Sequence, residues 1–332
     1  FGKNIIPAML ANGENLQTYQ FDGYWKDVGT IESLWEANMD LLSPNSGLDL
    51  EDDDWRIYGR TTAAPPHFTG KHAKIKHSLV SEGCEIEGNV TNSVLFPNVT
   101  VDTDATIEYS ILMPGAVVDK GAVVQYAIVA EGAHIRAGAK IGNTPDEAGD
   151  NWGVAVVGPD VTVGKNAIVA AKEMRELSEH RPVASVPFGG RYRVIDFMMS
   201  NLVNSGCYQV AVLMRDKYQS LLDHLGSGKD WDLSRKRGGM FLLPPNAFAP
   251  KSSPLVTENY RTSLEALGSI SDMLNKNKSE HVLICSADIV ANIPLDEVMK
   301  EHKKSEADVT IVCTKNSEGG AFDMFLDLSP RH

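Results

Sequence analysis

The chain has few cysteines, and none of them suits a zinc site or a disulfide framework. The four are Cys84, Cys207, Cys285 and Cys313 in 332 residues, and no two form a CxxC pair. No run approaches the about 18 consecutive apolar residues of a membrane span. The opening residues, Phe-Gly-Lys-Asn-Ile-Ile-Pro, lack the pattern of a secretory signal. We therefore expect a cytoplasmic protein with no membrane segment.

Positive charge is also scarce. The 31 Lys and Arg residues face 44 Asp and Glu residues, which gives a net charge of −13. This balance argues against a nucleic-acid-binding scaffold, because phosphate binding needs clustered Lys and Arg. A small anionic substrate can still be held by a few local basic groups. The length permits two domains, each with its own core.

An imperfect 17-residue repeat occupies the middle of the chain. Three units begin at Ser93, Ser110 and Ala127, a shorter unit begins at Ser78 and another at Ala155. Aliphatic residues recur about every six positions between small or turn-forming residues, without the i, i+3, i+4 stripe of an amphipathic helix. Such units bury their apolar faces only by stacking. The repeat predicts a left-handed parallel β-helix over residues 78–172, with an insertion at 143–153.

Stacked coils of this kind serve as architecture or, in acyltransferases, as the active site. An acyltransferase needs a general base, which is usually histidine. His134 is the only histidine in the three best units. A surface histidine is the commoner interpretation, and a hexapeptide-type acyltransferase is kept as an alternative.

Residues 173–332 alternate between helical and strand patterns. Helices are predicted at 194–206, 218–225 and 262–276, and buried strands at 208–214, 281–286 and 308–313. This alternation predicts an α/β domain with a mostly parallel sheet. Ligands bind beyond the carboxyl ends of such strands, where Asp288 is placed. It could be a metal ligand at a nucleotide-phosphate site or a helix cap, and position alone leaves both open.

A glycine pair precedes the first predicted helix of this domain. Gly189 and Gly190 could let backbone amides approach an anionic ligand, with Arg191 beside them. A plain turn would need the same two glycines. The pair therefore suggests a phosphate-binding loop or a turn.

A second candidate segment lies near the start of the chain. Asp27 is another possible metal ligand, and Lys26 beside it could meet a phosphate. Alternatively, Thr30 caps a helix over 31–40, with Glu32 adding favourable charge to its first turn.

Together, these segments resemble bacterial glucose-1-phosphate adenylyltransferase (ADP-glucose pyrophosphorylase). The resemblance is carried by VPFGGRYRVIDFMMSNLVNSG (186–206), WDLSRKRGGMFLLPP (231–245) and FDGYWKDVGTIESLWEANMDLL (21–42). It implies a Rossmann-like nucleotidyltransferase domain joined to the β-helix. It also implies that ATP and glucose 1-phosphate give ADP-glucose and pyrophosphate, in glycogen biosynthesis and with Mg²⁺. Asp288 and Asp27 match the family's magnesium ligands, and Gly189, Gly190 and Thr262 match positions near the nucleotide.

Several departures from the family pattern follow. The glycine-rich ATP loop is not seen before Leu177, and Val183 falls where the family has Lys-Pro-Ala. The family's Gly-Thr-Ala turn reads Thr262-Ser-Leu, and Asp288 is followed by Ile-Val-Ala rather than His-Ile-Tyr. The Glu-Lys-Pro segment for the sugar phosphate is not visible, and no catalytic residue is assigned. This pattern resembles the family's noncatalytic, regulatory subunit.

The regulatory interpretation implies a catalytic adenylyltransferase subunit as partner, in a hetero- or homo-tetramer. ATP or a sugar phosphate is the candidate effector. A catalytically active adenylyltransferase is the alternative.

The order of segments differs from that of the family. Residues 1–45 correspond to the end of the nucleotidyltransferase domain, 46–77 to a linker, 78–172 to the β-helix and 173–332 to the domain's beginning. A circular permutation and a joining of fragments out of natural order would both give this order. We predict that residues 1–42 pack against the sheet of 175–332.

Overall fold

The computed structural model describes residues 5–60, 63–170, 177, 181–215, 217–236, 238–245, 266–268, 270–277, 279–314 and 326–327. Contacts divide the chain into two units. Unit 1 contains the described parts of 1–25, 51–58 and 197–332. Unit 2 contains those of 26–50 and 59–196, so that residues 26–50 cluster with the β-helix.

The helices of the described residues are short. They are α1 (Ile5–Ala11), α2 (Ile31–Asp40), α3 (Pro145–Ala148), α4 (Val194–Asn204), α5 (Gln219–Leu225), α6 (Ser271–Lys276) and α7 (Leu295–Ser305). The predicted helix over 31–40 is confirmed as α2, and the helix predicted at 218–225 is confirmed as α5. No helix in the described ranges is long and apolar enough to cross a membrane.

Two strands precede the repeat: β1 (Leu16–Phe21) and β2 (Trp25–Asp27). The repeat then forms a left-handed parallel β-helix of three sheets. One sheet contains β3 (Phe68–Thr69), β6 (Glu85–Ile86), β9 (Thr100–Val101), β12 (Val117–Val118), β15 (His134–Ile135) and β18 (Thr162–Val163). The second contains β4 (Lys74–Lys76), β7 (Asn89–Thr91), β10 (Thr106–Glu108), β13 (Val123–Gln125), β16 (Lys140–Ile141) and β19 (Ile168–Val169). The third contains β5 (Leu79–Val80), β8 (Val94–Leu95), β11 (Ile111–Leu112), β14 (Ala127–Val129) and β17 (Ala155–Val157).

The register of these sheets follows the predicted alignment of the repeat. Ile111 pairs with Val94 on one side and Ile128 on the other. The aliphatic positions of successive coils are fully buried and form one continuous core. The first strand lies at Phe68, ten residues before the predicted start of the β-helix. The short strands β3 and β4 pair with β6 and β7, and this pairing brings part of the predicted linker into the β-helix.

Side chains and turns complete the stack. Ser93 and Ser110 are fully buried. Each hydroxyl accepts the backbone N–H that begins the next unit, at 3.1 Å from Ser110 and 3.2 Å from Ala127. The insertion forms α3 and a 3₁₀ turn (Gly149–Asn151).

The remaining strands are β20 (Pro187–Phe188), β21 (Tyr192–Arg193), β22 (Gln209–Leu213), β23 (Gly239–Leu243), β24 (Leu283–Ile284), β25 (Ile289–Ala291), β26 (Val309–Thr314) and β27 (Leu326–Asp327). In unit 1, β22 and β23 are parallel, as are β1 and β26. β27 runs antiparallel to β24 and β26. The β1–β26 pairing confirms, for Leu16–Phe21, that the start of the chain packs against the sheet of its last third.

Candidate functional site

Asp27 is the last residue of β2, and α2 begins four residues later at Ile31. One of its carboxylate oxygens accepts the Gly29 N–H at 2.7 Å. The Thr30 hydroxyl accepts the Ser33 N–H at 3.1 Å, and the Ser33 hydroxyl accepts the Thr30 N–H at 3.2 Å. This reciprocal capping box fixes the start of α2. Asp27 is exposed.

The side chain of Lys26 forms ion pairs with residues of α2. Its Nζ lies 2.8 Å from the carboxylate of Glu36 and 3.9 Å from that of Asp40. A phosphate at this lysine would have to compete with both carboxylates. The geometry therefore favours an ion pair that ties the preceding strand to the helix.

A cavity of about 300 Å³ opens at the start of α2. Its lining is apolar apart from the backbone of the turn, Thr30 and Glu32. The residues that line it are Val28, Gly29, Thr30, Ile31, Glu32, Leu34, Leu177, Val183 and Val186. Among the residues that the structure describes, this lining contains no Lys or Arg. The described part of the lining thus offers an anionic ligand no cationic side chain.

Gly189 and Gly190 form the turn of the β20–β21 hairpin. Both are buried and have left-handed backbone angles, φ +63° and +75°. The Gly189 N–H is donated to the side-chain oxygen of Asn38 at 2.9 Å, and the Gly190 carbonyl accepts the Ser81 hydroxyl at 2.6 Å. A Cβ on Gly190 would lie only 2.9 Å from the Ser81 Oγ. These contacts support the turn interpretation, and the nucleotide role of the pair stays a prediction.

The arginines near this hairpin have different environments. Arg191 is exposed, with its Cζ 6.0 Å from the Tyr192 ring centroid. Arg193 is largely desolvated, and burial lowers the pKa of its guanidinium. Its Nη1 donates to the Ser185 carbonyl at 3.0 Å. Arg181 forms a bidentate ion pair with Glu131 on the β-helix.

Asp288 lies in unit 1, directly before β25. It is half-buried and its carboxylate accepts the Ser286 hydroxyl. The strand that follows is anchored by Asn201 of α4, whose side chain donates to the Ala291 carbonyl at 2.8 Å. The Asn201 oxygen accepts the Ile293 N–H at 3.3 Å and the Trp55 indole N–H at 2.9 Å. Asn201 thus holds the carboxyl end of β25, whereas Asp288 lies directly before its amino end.

Considered separately, the carboxylates of Asp27 and Asp288 are both suitable magnesium ligands. Mg²⁺ prefers oxygen ligands and is commonly held by one or two carboxylates together with substrate phosphates. Asp27 and Asp288 each present such oxygens. Within the described ranges, no three His, Cys, Asp or Glu side chains form a metal site of their own. Thr262, the remaining candidate, lies outside the described residues.

His134 sits on the outer face of the β-helix. Its Nε2 lies 2.7 Å from Asp119, which also lies 3.7 Å from Arg136. The histidine is therefore part of a half-exposed surface network. This arrangement favours the surface interpretation over a general base.

Two buried asparagines escaped the sequence reasoning. Asn38 and Asn201 are fully buried, and each holds backbone groups that are distant in sequence. The available signal was an asparagine on the apolar side of a predicted helix. Such a residue needs partners inside the protein, but the sequence does not identify them.

Comparison with known families identifies both parts of the chain. Residues 1–44 and 170–322, more than half of the chain, match the family described as "Nucleotidyl transferase". Residues 65–163 match the family described as "GlmU-like, C-terminal hexapeptide". The second match coincides with the observed β-helix.

Curated relatives carry one common name. A glucose-1-phosphate adenylyltransferase from Clostridium novyi is 55% identical over 107 residues, which are 32% of this chain and 28% of the relative. Enzymes of the same name from Bacillus thuringiensis (strain Al Hakam) and Desulforamulus reducens are 51% and 54% identical over 107 residues, again 32% of this chain, and 28% and 27% of those relatives. The aligned part thus spans under a third of each relative.

Proposed function

The chain belongs to the nucleotidyl transferase family, and we propose that it is a subunit of a glucose-1-phosphate adenylyltransferase, with a regulatory rather than a catalytic role. The name shared by the relatives supports the substrate class. In the reaction of such an enzyme, a phosphate oxygen of glucose 1-phosphate attacks the α-phosphorus of ATP, and pyrophosphate leaves.

Catalysis of this reaction depends on positioning and on neutralising charge. Magnesium supplies part of that neutralisation when it is bound. Asp27 and Asp288 are, each by itself, the candidate residues that would hold it here. Cationic side chains usually supply the rest, because they stabilise the negative charge of the transferring group.

The observation that carries the regulatory role is that no Lys or Arg is found among the described residues that line the cavity at the start of α2. Val183, which stands where the family has a lysine-containing motif, lines this cavity. Lys26 is held by two carboxylates of α2. The Gly189 amide is taken by Asn38. Each of these features reduces the capacity of this region to bind phosphate.

The proposal extends to the order of segments. We propose that residues 1–45 and 173–332 make one nucleotidyltransferase domain in permuted order, with the β-helix between them. The two-part family match and the parallel pairing of β1 with β26 support it. The partner would be a catalytic subunit in a tetramer, and ATP or a sugar phosphate would be the effector.

The test is an assay of ADP-glucose formation from ATP and glucose 1-phosphate with Mg²⁺. The chain is assayed alone and mixed with the Clostridium novyi adenylyltransferase. We expect no turnover by the chain alone and a changed KM or effector response in the mixture.

Two results would contradict the regulatory role. One is turnover by the chain alone that is lost in both Asp27→Asn and Asp288→Asn, which would make it catalytic. The other is a mixture whose kinetics equal those of the partner enzyme. As a control, Asp146→Asn changes an exposed carboxylate in the insertion and should alter neither measurement.

A further inference from the structure

One corner of the β-helix carries large side chains in a backbone conformation that usually requires small ones. The coils turn at positions with left-handed φ, and most of these positions hold Gly, Asn or Asp, which adopt this conformation at little cost. Tyr109 and Tyr126, both with φ +46°, are exceptions, and His77 with φ +49° is a third. Strain of this kind persists only where surrounding contacts hold it, and it often marks a functional region.

The two tyrosines contact a helix that is distant in sequence. Their rings stack with centroids 4.8 Å apart and planes 9° from parallel, and the ring of Trp35 on α2 lies 6.0 Å from that of Tyr126. Trp152 of the insertion lies 5.6 Å from Tyr126 and 6.0 Å from Trp35. The Trp35 indole N–H is donated to the Tyr109 carbonyl at 2.8 Å. These four side chains form what we call the aromatic corner.

The helix that contacts the aromatic corner also carries the candidate site. The Asp27 carboxylate and the Gly29 N–H that it accepts lie just before the start of α2. Asn38, three residues after Trp35, accepts the Gly189 N–H of the hairpin at 2.9 Å. A helix of ten residues forms cooperatively, so that its turns order together. A displacement of Trp35 would therefore reach both the turn after Asp27 and the hairpin.

We infer that Trp35 is a positioning residue, which holds α2 on the aromatic corner and thereby fixes the turn after Asp27 and the glycine hairpin. Asn would suit the backbone of the two tyrosine positions better, but only a ring can receive Trp35 by aromatic contact. The candidate site thus depends on the β-helix, although no side chain of the aromatic corner needs to touch a ligand. The inference deepens the proposed function and rests on it only for the kinetic measurement below.

The first experiment measures amide hydrogen exchange in Tyr126→Asn. Asn92 occupies the equivalent position two coils earlier, also with left-handed φ, so we expect the β-helix to stay folded while the aromatic corner loses its central ring. The Leu34 amide, which is donated to the first carbonyl of α2, and the Gly189 amide should exchange at least about tenfold faster. The Val117 amide, bonded between coils, should be unchanged. Unchanged exchange at Leu34 and Gly189 would overturn the inference.

Matched variants separate the ring contact from relief of strain. Trp35→Ala leaves the β-helix sequence intact and should accelerate the same two amides, which tests the inference even where the tyrosine variant does not fold. The double variant Tyr126→Asn/Trp35→Ala should add little to either single change, because both break one contact. Tyr126→Phe keeps the ring and should behave as the parent chain. His77→Asn relieves strain outside the ring cluster and should leave both amides unchanged. Fully additive effects, or acceleration in His77→Asn, would overturn the inference.

The second experiment connects the aromatic corner to the proposed function. The parent chain and Trp35→Ala are each mixed with the Clostridium novyi adenylyltransferase, and KM, kcat and effector response are measured separately. We expect Trp35→Ala to lose most of the change in KM or effector response that the parent chain causes. If the parent chain causes no change, the regulatory role fails and hydrogen exchange alone decides the positioning role. If Trp35→Ala changes the kinetics as much as the parent chain does, the dependence of the site on the aromatic corner is wrong.

Discussion

Replacing Asn201 by leucine should destabilise unit 1 more than any single surface change. Leucine has nearly the same shape but cannot form hydrogen bonds. The Ala291 carbonyl and the Ile293 N–H, both in fully buried residues, would then lose their partner, and the half-buried Trp55 indole would lose its own. A buried polar group without a partner costs about 1–3 kcal/mol. We therefore expect a loss of about 2–6 kcal/mol, a large part of the about 5–15 kcal/mol of a typical domain.

The matched control is Asn204→Leu on the same helix. Its side chain donates to the Arg56 carbonyl at 3.0 Å in an exposed position, where water can replace it. We expect this change to cost about 1 kcal/mol or less. The comparison holds the substitution and the helix constant, and it varies burial and the number of hydrogen bonds that are lost.

Urea unfolding measures how much free energy of unfolding each of the two variants loses. Hydrogen exchange shows which part of the chain is destabilised. The Ile293 amide should exchange faster in Asn201→Leu than in the parent chain. Its exchange rate should be unchanged in Asn204→Leu. Equal urea midpoints of unfolding for the two variants would refute the assignment of Asn201 as the anchor of β25. Continued protection of the Ile293 amide would refute it as well.

Two further predictions concern the hairpin turn and the insertion. Gly190→Ala should lower Tm more than Gly115→Ala. Both glycines have φ above +70°, but only at Gly190 would the added Cβ meet a close neighbour, the Ser81 Oγ. Equal losses of Tm would contradict this steric argument. The pKa of Glu147 is lowered to about 2, first of all by the backbone N–H of Thr144. Because this pKa is depressed, the stabilisation is full above the ordinary value near 4.5 and fades as pH falls towards 2. Glu147→Gln should therefore lower Tm at neutral pH, with a gap that narrows below pH about 4.5, and a gap independent of pH would contradict this.

The candidate site could be predicted only in outline. The segments containing Asp27, Asp288 and the glycine pair stood out by residue type and by their places after strands or before helices. The partners of these residues did not, because Asn38 and Gly189 are 151 positions apart. Whether a glycine amide is free for a ligand depends on such a distant group, and sequence position carries no information about it.

The sequence by itself determined the β-helix, including its register. Each coil is specified by about 17 neighbouring residues, and each coil repeats the same requirement for an inward aliphatic residue and a turn. Alignment of Val94, Ile111 and Ile128 in the sequence was therefore enough to predict their pairing. The helix α2 was predictable for the same reason, since its cap and its apolar face are local.

Only the tertiary structure decided how the candidate groups are used. It placed Lys26 against two carboxylates, buried the glycine pair under Asn38 and Ser81, and made Asn201 the support of β25. These outcomes depend on contacts between segments far apart in the chain. Burial and hydrogen-bond satisfaction are set by the whole packed structure, whereas a repeat is set by its own neighbours.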